Sequence, residues 1–123
     1  MNDHSYNIHE QSFICSEVLM SIPSYKIIDK MENILNIASD STRIKILYCL
    51  LDEEEGEKTV SQIVETTGAS QSLISHQLKV LKNARLIVSR KQGKNVFYSL
   101  CDDHVKMLLE VVYEHVMEEI KDE

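Results

Sequence analysis

The stretch Gly68-Ala-Ser-Gln-Ser-Leu-Ile-Ser-His-Gln-Leu-Lys-Val-Leu-Lys-Asn83, followed by Leu86-Ile-Val-Ser-Arg-Lys-Gln-Gly-Lys-Asn-Val-Phe-Tyr-Ser-Leu100, decides the architecture of this chain. Gly68 and Ala69 make a turn, and Ser70 is a capping residue for a helix that reaches about Asn83. Within it Ile74, Leu78 and Leu81 recur at i, i+4 and i+7 and face the core, which leaves Gln71, Ser72, Ser75, His76 and Lys79 outward. A shorter helix from about Val60 to Thr66 precedes the turn, and two helices joined by a tight glycine turn are the helix-turn-helix outline. Beyond it, Leu86 to Arg90 and Val96 to Leu100 are β-rich, with Gln92-Gly93-Lys94-Asn95 as a hairpin tip. A basic hairpin behind a helix-turn-helix is a wing.

Working outward, residues 1 to 22 read as an arm with a weak helical stretch, ended by Pro23, the only proline. Ser24 caps a helix to about Ala38, with Ile27, Ile28, Met31, Ile34 and Leu35 at core spacing. Asp40 or Ser41 caps the next, whose Ile44, Ile46, Leu47, Tyr48, Leu50 and Leu51 make it the expected buried centre. The acidic run around Gly56 is its exposed exit, and the last helix spans about Asp103 to Lys121. The expected fold is therefore mainly α with a small β-hairpin: an arm over 1–24, then a winged helix-turn-helix domain over 25–123. The segment from about 102 to 121 is its terminal helix, and a homodimer through terminal helices is the expectation.

The net charge of -7 taken alone argues against nucleic acid, but its distribution reverses that argument. From Thr66 to Cys101 there is no acid, while Lys79, Lys82, Arg85, Arg90, Lys91 and Lys94 are all basic. The acids cluster at Asp52, Glu53, Glu54, Glu55 and Glu57 and again after Cys101. A basic middle between acidic flanks suits one polyanion-binding surface on a protein that is otherwise acidic. Gln71, Ser72, Ser75 and His76 are candidates for base edges in the major groove, and Lys79, Arg90, Lys91 and Lys94 for phosphate contacts. The bland alternative is a polar helix in an ordinary bundle, against which the adjacent basic hairpin argues.

No apolar run approaches the roughly 20 residues of a membrane span, and no signal peptide is expected, because Glu17 interrupts the apolar segment from Phe13 to Met20. A cytoplasmic protein is the expectation. Cys15, Cys49 and Cys101 are odd in number and widely spaced, as free thiols in a reducing compartment are. Cys49 reads as a small core residue, and Cys101 adjoins Asp102 with its side chain expected on the opposite face. No nucleophile and base stand at useful spacing, so neither an enzyme nor a small organic substrate is expected.

Near the C-terminus stand two imidazole–carboxylate pairs, Asp102 with His104 and His115 with Glu118. Eleven residues separate the histidines, which places them on one helix face but ~16 Å apart along the axis. One chain cannot close both pairs on one ion. Two antiparallel copies can, since a two-fold axis near residue 109.5 sets His104 opposite the partner's His115 and Leu108 opposite the partner's Val111. His104, Leu108, Val111, His115 and Glu118 form one stripe whose apolar middle is a helix–helix seam. Two imidazoles and two carboxylates without a thiolate suit a tetrahedral Zn²⁺ site, and four protein ligands make it regulatory or structural and not catalytic.

The segments Ser39-Asp-Ser-Thr-Arg-Ile-Lys-Ile-Leu47, Ser70 to Leu81 and Arg90 to Leu100 together resemble the ArsR/SmtB family of bacterial metal-sensing repressors, over about residues 25 to 121. The resemblance implies a dimeric winged helix-turn-helix that binds an inverted-repeat operator in double-stranded DNA and is released from it by metal. The C-terminal pattern is similar to the zinc-sensing branch, with all four ligand positions filled by Asp102, His104, His115 and Glu118. Other branches use a cysteine pair near the reading helix; this chain has no cysteine between Thr59 and Val80, which speaks against thiolate sensing. By the same resemblance, a carbonyl near Arg85 is a route from site to reading head. Two rival readings are a Ni²⁺ or Co²⁺ sensor that adds His4 or His9, and a zinc-storage dimer that never binds DNA.

Overall fold

The computed structural model describes residues 21–122. Its elements are α1 Tyr25–Ile37, α2 Ser41–Leu50, α3 Val60–Thr67, α4 Gln71–Asn83, β1 Ile87–Gln92, β2 Asn95–Leu100 and α5 Asp103–Lys121. His4, His9, Cys15 and the helical stretch expected before Pro23 lie outside the described residues. The chain divides into one unit ending at Glu32 and a second beginning at Asn33, a division that falls inside α1. In the first unit the Ser24 carbonyl accepts the Ile28 N–H at 3.0 Å as α1 begins, and Ile27, Ile28 and Met31 are exposed.

The second unit is built around α2. Asp40 is its N-cap and accepts the Arg43 N–H at 3.1 Å, and Ile46, Leu47, Cys49 and Leu50 are buried along it. They meet Ile63 of α3, Ile74, Leu78 and Leu81 of α4, Leu86 and Ile87 at the entry to β1, Leu100 at the end of β2 and Leu109 of α5. Each such side chain contributes roughly 1.5–3 kcal/mol on burial. Among them Cys49 behaves as the small apolar residue its neighbours suggest.

One expectation fails in this core. The apolar spacing of α1 predicts core residues, yet α1 has none that is buried: Ile34 is half-buried against the core and Leu35 is 60% exposed. Periodicity identifies an apolar stripe and is silent about what covers it.

The helix-turn-helix is set by local chemistry. Thr59 and Gln62 form a reciprocal capping box at the start of α3. Gly68 ends that helix at φ +75°, where a side chain would be strained. Ser70 then caps α4 by accepting the Leu73 N–H at 3.2 Å, two residues past the glycine. The exit from α4 is a Schellman turn: Leu86 N–H donates to the Leu81 carbonyl at 3.1 Å and Arg85 N–H to the Lys82 carbonyl at 3.0 Å. Its left-handed position, usually glycine, is Arg85 at φ +63°.

The wing is an antiparallel pair in register from Ile87↔Leu100 to Gln92↔Asn95. Its loop is only Gly93-Lys94, tighter than the four-residue tip expected, because Gln92 and Asn95 still pair. Gly93 sits at φ +63°, as the first residue of a type II′ turn must. A one-residue bridge extends the sheet: Lys58 N–H donates to the Tyr98 carbonyl at 3.0 Å and Tyr98 N–H returns at 2.8 Å. Lys58, itself buried, holds its ammonium on Asp52 Oδ2 at 3.2 Å and the Glu55 carbonyl at 2.7 Å. The acidic run is thereby stitched to the base of the wing.

Candidate functional site

Two regions carry chemistry, the outer face of α4 with the wing and the length of α5. On α4, Gln71, Ser72, Ser75, His76 and Lys79 are all exposed, while Ile74, Leu78 and Leu81 anchor the opposite side. The helix N-terminus lies at the start of this polar face, where the helix dipole favours phosphate. Lys91 and Lys94 are exposed on the wing.

Arg90 is placed differently from what its charge suggests. Its Nε and one terminal nitrogen donate to the two carboxylate oxygens of Glu57, each at 2.7 Å, and the other terminal nitrogen donates to Gln92 Oε1 at 2.8 Å. The guanidinium also lies 4.8 Å from the centre of the Phe97 ring. These bonds hold the Glu57 carboxyl below the usual carboxylate range and push the Arg90 guanidinium up. Arg90 thus braces the wing against the acidic segment. Sequence reading missed this partnership because 33 residues separate the pair.

Along α5 the two expected pairs sit at opposite ends. Asp102 is the N-cap: Oδ1 accepts the Val105 N–H at 3.1 Å while Oδ2 lies 3.7 Å from His104 Nδ1. At the other end the carboxylate nearest His115 is Glu119, at 3.9 Å from Nε2, one residue beyond the expected Glu118. Both imidazoles are exposed, His104 at 77% and His115 at 75%. Between them Leu108 and Val111 are exposed at 43% and 48%. Among the described residues of one chain, no three histidine, cysteine or acidic side chains converge as a metal site would require. Cys101 is half-buried, and its N–H donates to the Leu86 carbonyl at 3.0 Å.

A turn-linked pair of helices, a polar acid-free reading face and a two-stranded wing define a winged helix-turn-helix regulator of the DNA-binding type. The description "Bacterial regulatory protein, arsR family" matches residues 40–89. The chain is 36% identical to the HTH-type transcriptional regulator MJ1325 of Methanocaldococcus jannaschii, over 70% of this chain and 94% of that one. It belongs to the ArsR/SmtB family, whose members are transcriptional regulators and not enzymes. It is also 44% identical to a cadmium resistance transcriptional regulatory protein, a CadC homolog of Staphylococcus aureus, over 65% of this chain. That match spans 64% of the relative's length, less than two thirds. A solved homodimeric winged helix-turn-helix domain, Mb0332 of Mycobacterium bovis, shares the fold at TM-score 0.72 and 23% identity, covering 80% of this chain and 88% of that one. Among the described residues no helix is long and apolar enough to cross a membrane.

Proposed function

We propose that the chain is a cytoplasmic, homodimeric, Zn²⁺-responsive repressor that binds an inverted-repeat operator of metal-resistance or efflux genes and leaves it when zinc is bound. The observation that carries this reading is α5: two imidazole–carboxylate pairs, both exposed, stand at the ends of a helix whose middle, Leu108 and Val111, is apolar and uncovered. Half a ligand set at each end of an uncovered seam is what a chain needs if its partner supplies the other half. Asp102 and His104 of one chain with the partner's His115 and Glu118 would make two symmetric four-ligand sites; the position of Glu119 makes it a competitor for the fourth place.

The donor set is oxygen and imidazole nitrogen, which suits zinc, and the lack of cysteine between Thr59 and Val80 speaks against a thiolate site for cadmium or lead. Zinc would supply a cross-link between protomers. In the dimer with filled sites, the two α4 helices would no longer match successive major grooves. The coupling needed is modest, ~1–3 kcal/mol, and reciprocal between metal and DNA. Gln71, Ser72, Ser75 and His76 would read base edges, with Lys79, Lys91 and Lys94 on phosphates. Arg90 would join those phosphate contacts only by exchanging Glu57 for one.

One fluorescence-anisotropy experiment tests the reading: a duplex selected by the protein from a random library, titrated with protein in EDTA and then with Zn²⁺, Co²⁺, Ni²⁺ and Cd²⁺. Zinc should weaken binding about 5- to 150-fold, and the Co²⁺ form should show a tetrahedral absorption spectrum. An octahedral spectrum would favour a Ni²⁺ or Co²⁺ sensor that recruits His4 or His9. Absence of any selected duplex would favour a zinc-storage dimer.

A further inference from the structure

We propose that α2 is the mechanical link between the ligand-bearing helix and the DNA-reading helix, gripping α5 through Tyr48 and α4 through Arg43; the regulatory meaning of this link rests on the function proposed above. At one end the Tyr48 hydroxyl donates to the main-chain carbonyl of Leu109 at 2.6 Å. Leu109 is the one buried residue of α5, and it lies five residues after His104 and six before His115. The grip therefore falls at the centre of the span between the two candidate ligand pairs. The Tyr48 ring also packs beside Tyr113, one turn further along α5, with centroids 6.2 Å apart. Burial pushes the Tyr48 phenol's pKa up, in the direction that favours the protonated hydroxyl.

At the other end the Arg43 guanidinium spans two elements. Nε donates to the Ile37 carbonyl at the end of α1, at 2.5 Å, and a terminal nitrogen donates to Gln77 Oε1 of α4 at 2.7 Å. Gln77 is half-buried, beside His76 and on the flank of the stripe formed by Ile74, Leu78 and Leu81. A bond on the flank of a helix sets its roll about its own axis. At a side-chain radius of ~6 Å, a roll of about 10° moves a tip by ~1 Å, more than a base-edge hydrogen bond tolerates.

Arg43 and Tyr48 are five residues apart on α2, about 140° around and ~7.5 Å along its axis, so they reach opposite neighbours from one rigid body. That body is anchored by the buried Ile46, Leu47 and Leu50. A close-packed core passes on a displacement as a unit and does not absorb it. A shift of α5 on closing the metal sites thus reaches α4 through two hydrogen bonds and one buried helix.

The test is a double-mutant cycle on the full chain, read by anisotropy on a duplex selected by the wild type. Tyr48→Phe removes only the hydroxyl, and Gln77→Met removes the acceptor at similar volume. Although Tyr48 faces α5 and not the reading face, Tyr48→Phe should change zinc-free DNA affinity by about threefold or more in the wild-type background and leave it unchanged in the Gln77→Met background. Arg43→Lys should silence the Tyr48→Phe effect in the same way. The ratio of DNA affinity without and with zinc should also fall about fivefold in Tyr48→Phe. Ordinary destabilisation would lower the melting temperature without this non-additivity. Equal effects of Tyr48→Phe in both backgrounds, or no effect at all, would overturn the link. If zinc leaves the wild type on its DNA, the zinc reading falls, and the zinc-free cycle still decides the link.

Discussion

Asp102 divides its carboxylate between two tasks, with Oδ1 capping α5 on the Val105 N–H at 3.1 Å and Oδ2 standing 3.7 Å from Nδ1 of His104. The cap aims the side chain, so the oxygen left over is delivered beside the imidazole at no further conformational cost. A residue that both starts the helix and faces the candidate site allows stability and ligation to be separated by substitution.

Asparagine caps about as well as aspartate but offers a neutral oxygen. Asp102→Asn should leave unfolding free energy within about 0.5 kcal/mol of wild type while zinc affinity drops about tenfold or more. Asp102→Ala should lose the same zinc affinity and in addition ~1 kcal/mol of stability. Urea unfolding and a competitive zinc titration check both; equal zinc affinity in wild type and Asp102→Asn would remove Asp102 from the site.

If the sites are shared between protomers, complementary defects should rescue each other. Mixing His104→Ala with His115→Ala gives heterodimers that keep one complete site and lose the other. Zinc stoichiometry in the mixture should therefore exceed that of either variant alone, and no recovery would count against the antiparallel seam. Glu118→Gln and Glu119→Gln, measured side by side, identify which carboxylate serves His115.

On the wing, the lysines and Arg90 should behave differently. Neutralising Lys91 or Lys94 should weaken binding to all DNA and flatten the salt slope by ~0.9 for each phosphate that is no longer neutralised. Arg90→Gln should leave that slope unchanged, because its guanidinium is already held by Glu57 and Gln92. Glu57→Gln releases it and should steepen the slope.

The pKa values of Asp52 and Glu57 are both lowered in the folded chain, Asp52 first by the Glu54 N–H and then by Lys58, Glu57 by Arg90. A carboxylate with a depressed folded pKa stabilises the fold above its unfolded pKa, and that contribution is lost as pH falls through the folded value. Stability should therefore decline on acidification through and below the ordinary carboxylate range. Glu57→Gln should make that decline shallower in pH-dependent thermal melts; a steeper one would be the contrary result.

Arg85 holds a left-handed backbone that costs a non-glycine residue roughly 1–2 kcal/mol. Arg85→Gly should raise unfolding free energy by about 1 kcal/mol and the melting temperature by about 4 °C. Leu78→Ala, at a fully buried position, should cost about 2–5 kcal/mol. Chemical denaturation of the two variants gives the comparison.

The order of elements was legible wherever one short-range rule governed them. Ser70 capping, the Ile74, Leu78 and Leu81 spacing and the Gly68 turn depend on neighbours within a few residues, and each stands where that chemistry puts it. The start of α5 is equally local, but there the capping role of Asp102 emerges from the structure, beside the ligand role its spacing suggests. What covers an apolar stripe is a different kind of fact: Leu35 fits the core pattern and lies exposed, because periodicity records which face is apolar and not which neighbour it meets.

The sequence by itself therefore determined the helix-turn-helix, the wing and the placing of His104 and His115 near opposite ends of one helix, since backbone propensity, capping and period act locally, whereas the carboxylate that stands beside His115 is Glu119 and not the expected Glu118. Only the tertiary structure decided that Arg90 is spent on Glu57, that Lys58 joins the wing sheet at Tyr98, and that Tyr48 and Arg43 bind α2 to α5 and α4. Those pairings join residues from 33 to 61 positions apart. They depend on how whole elements pack, and no local rule in the chain encodes them.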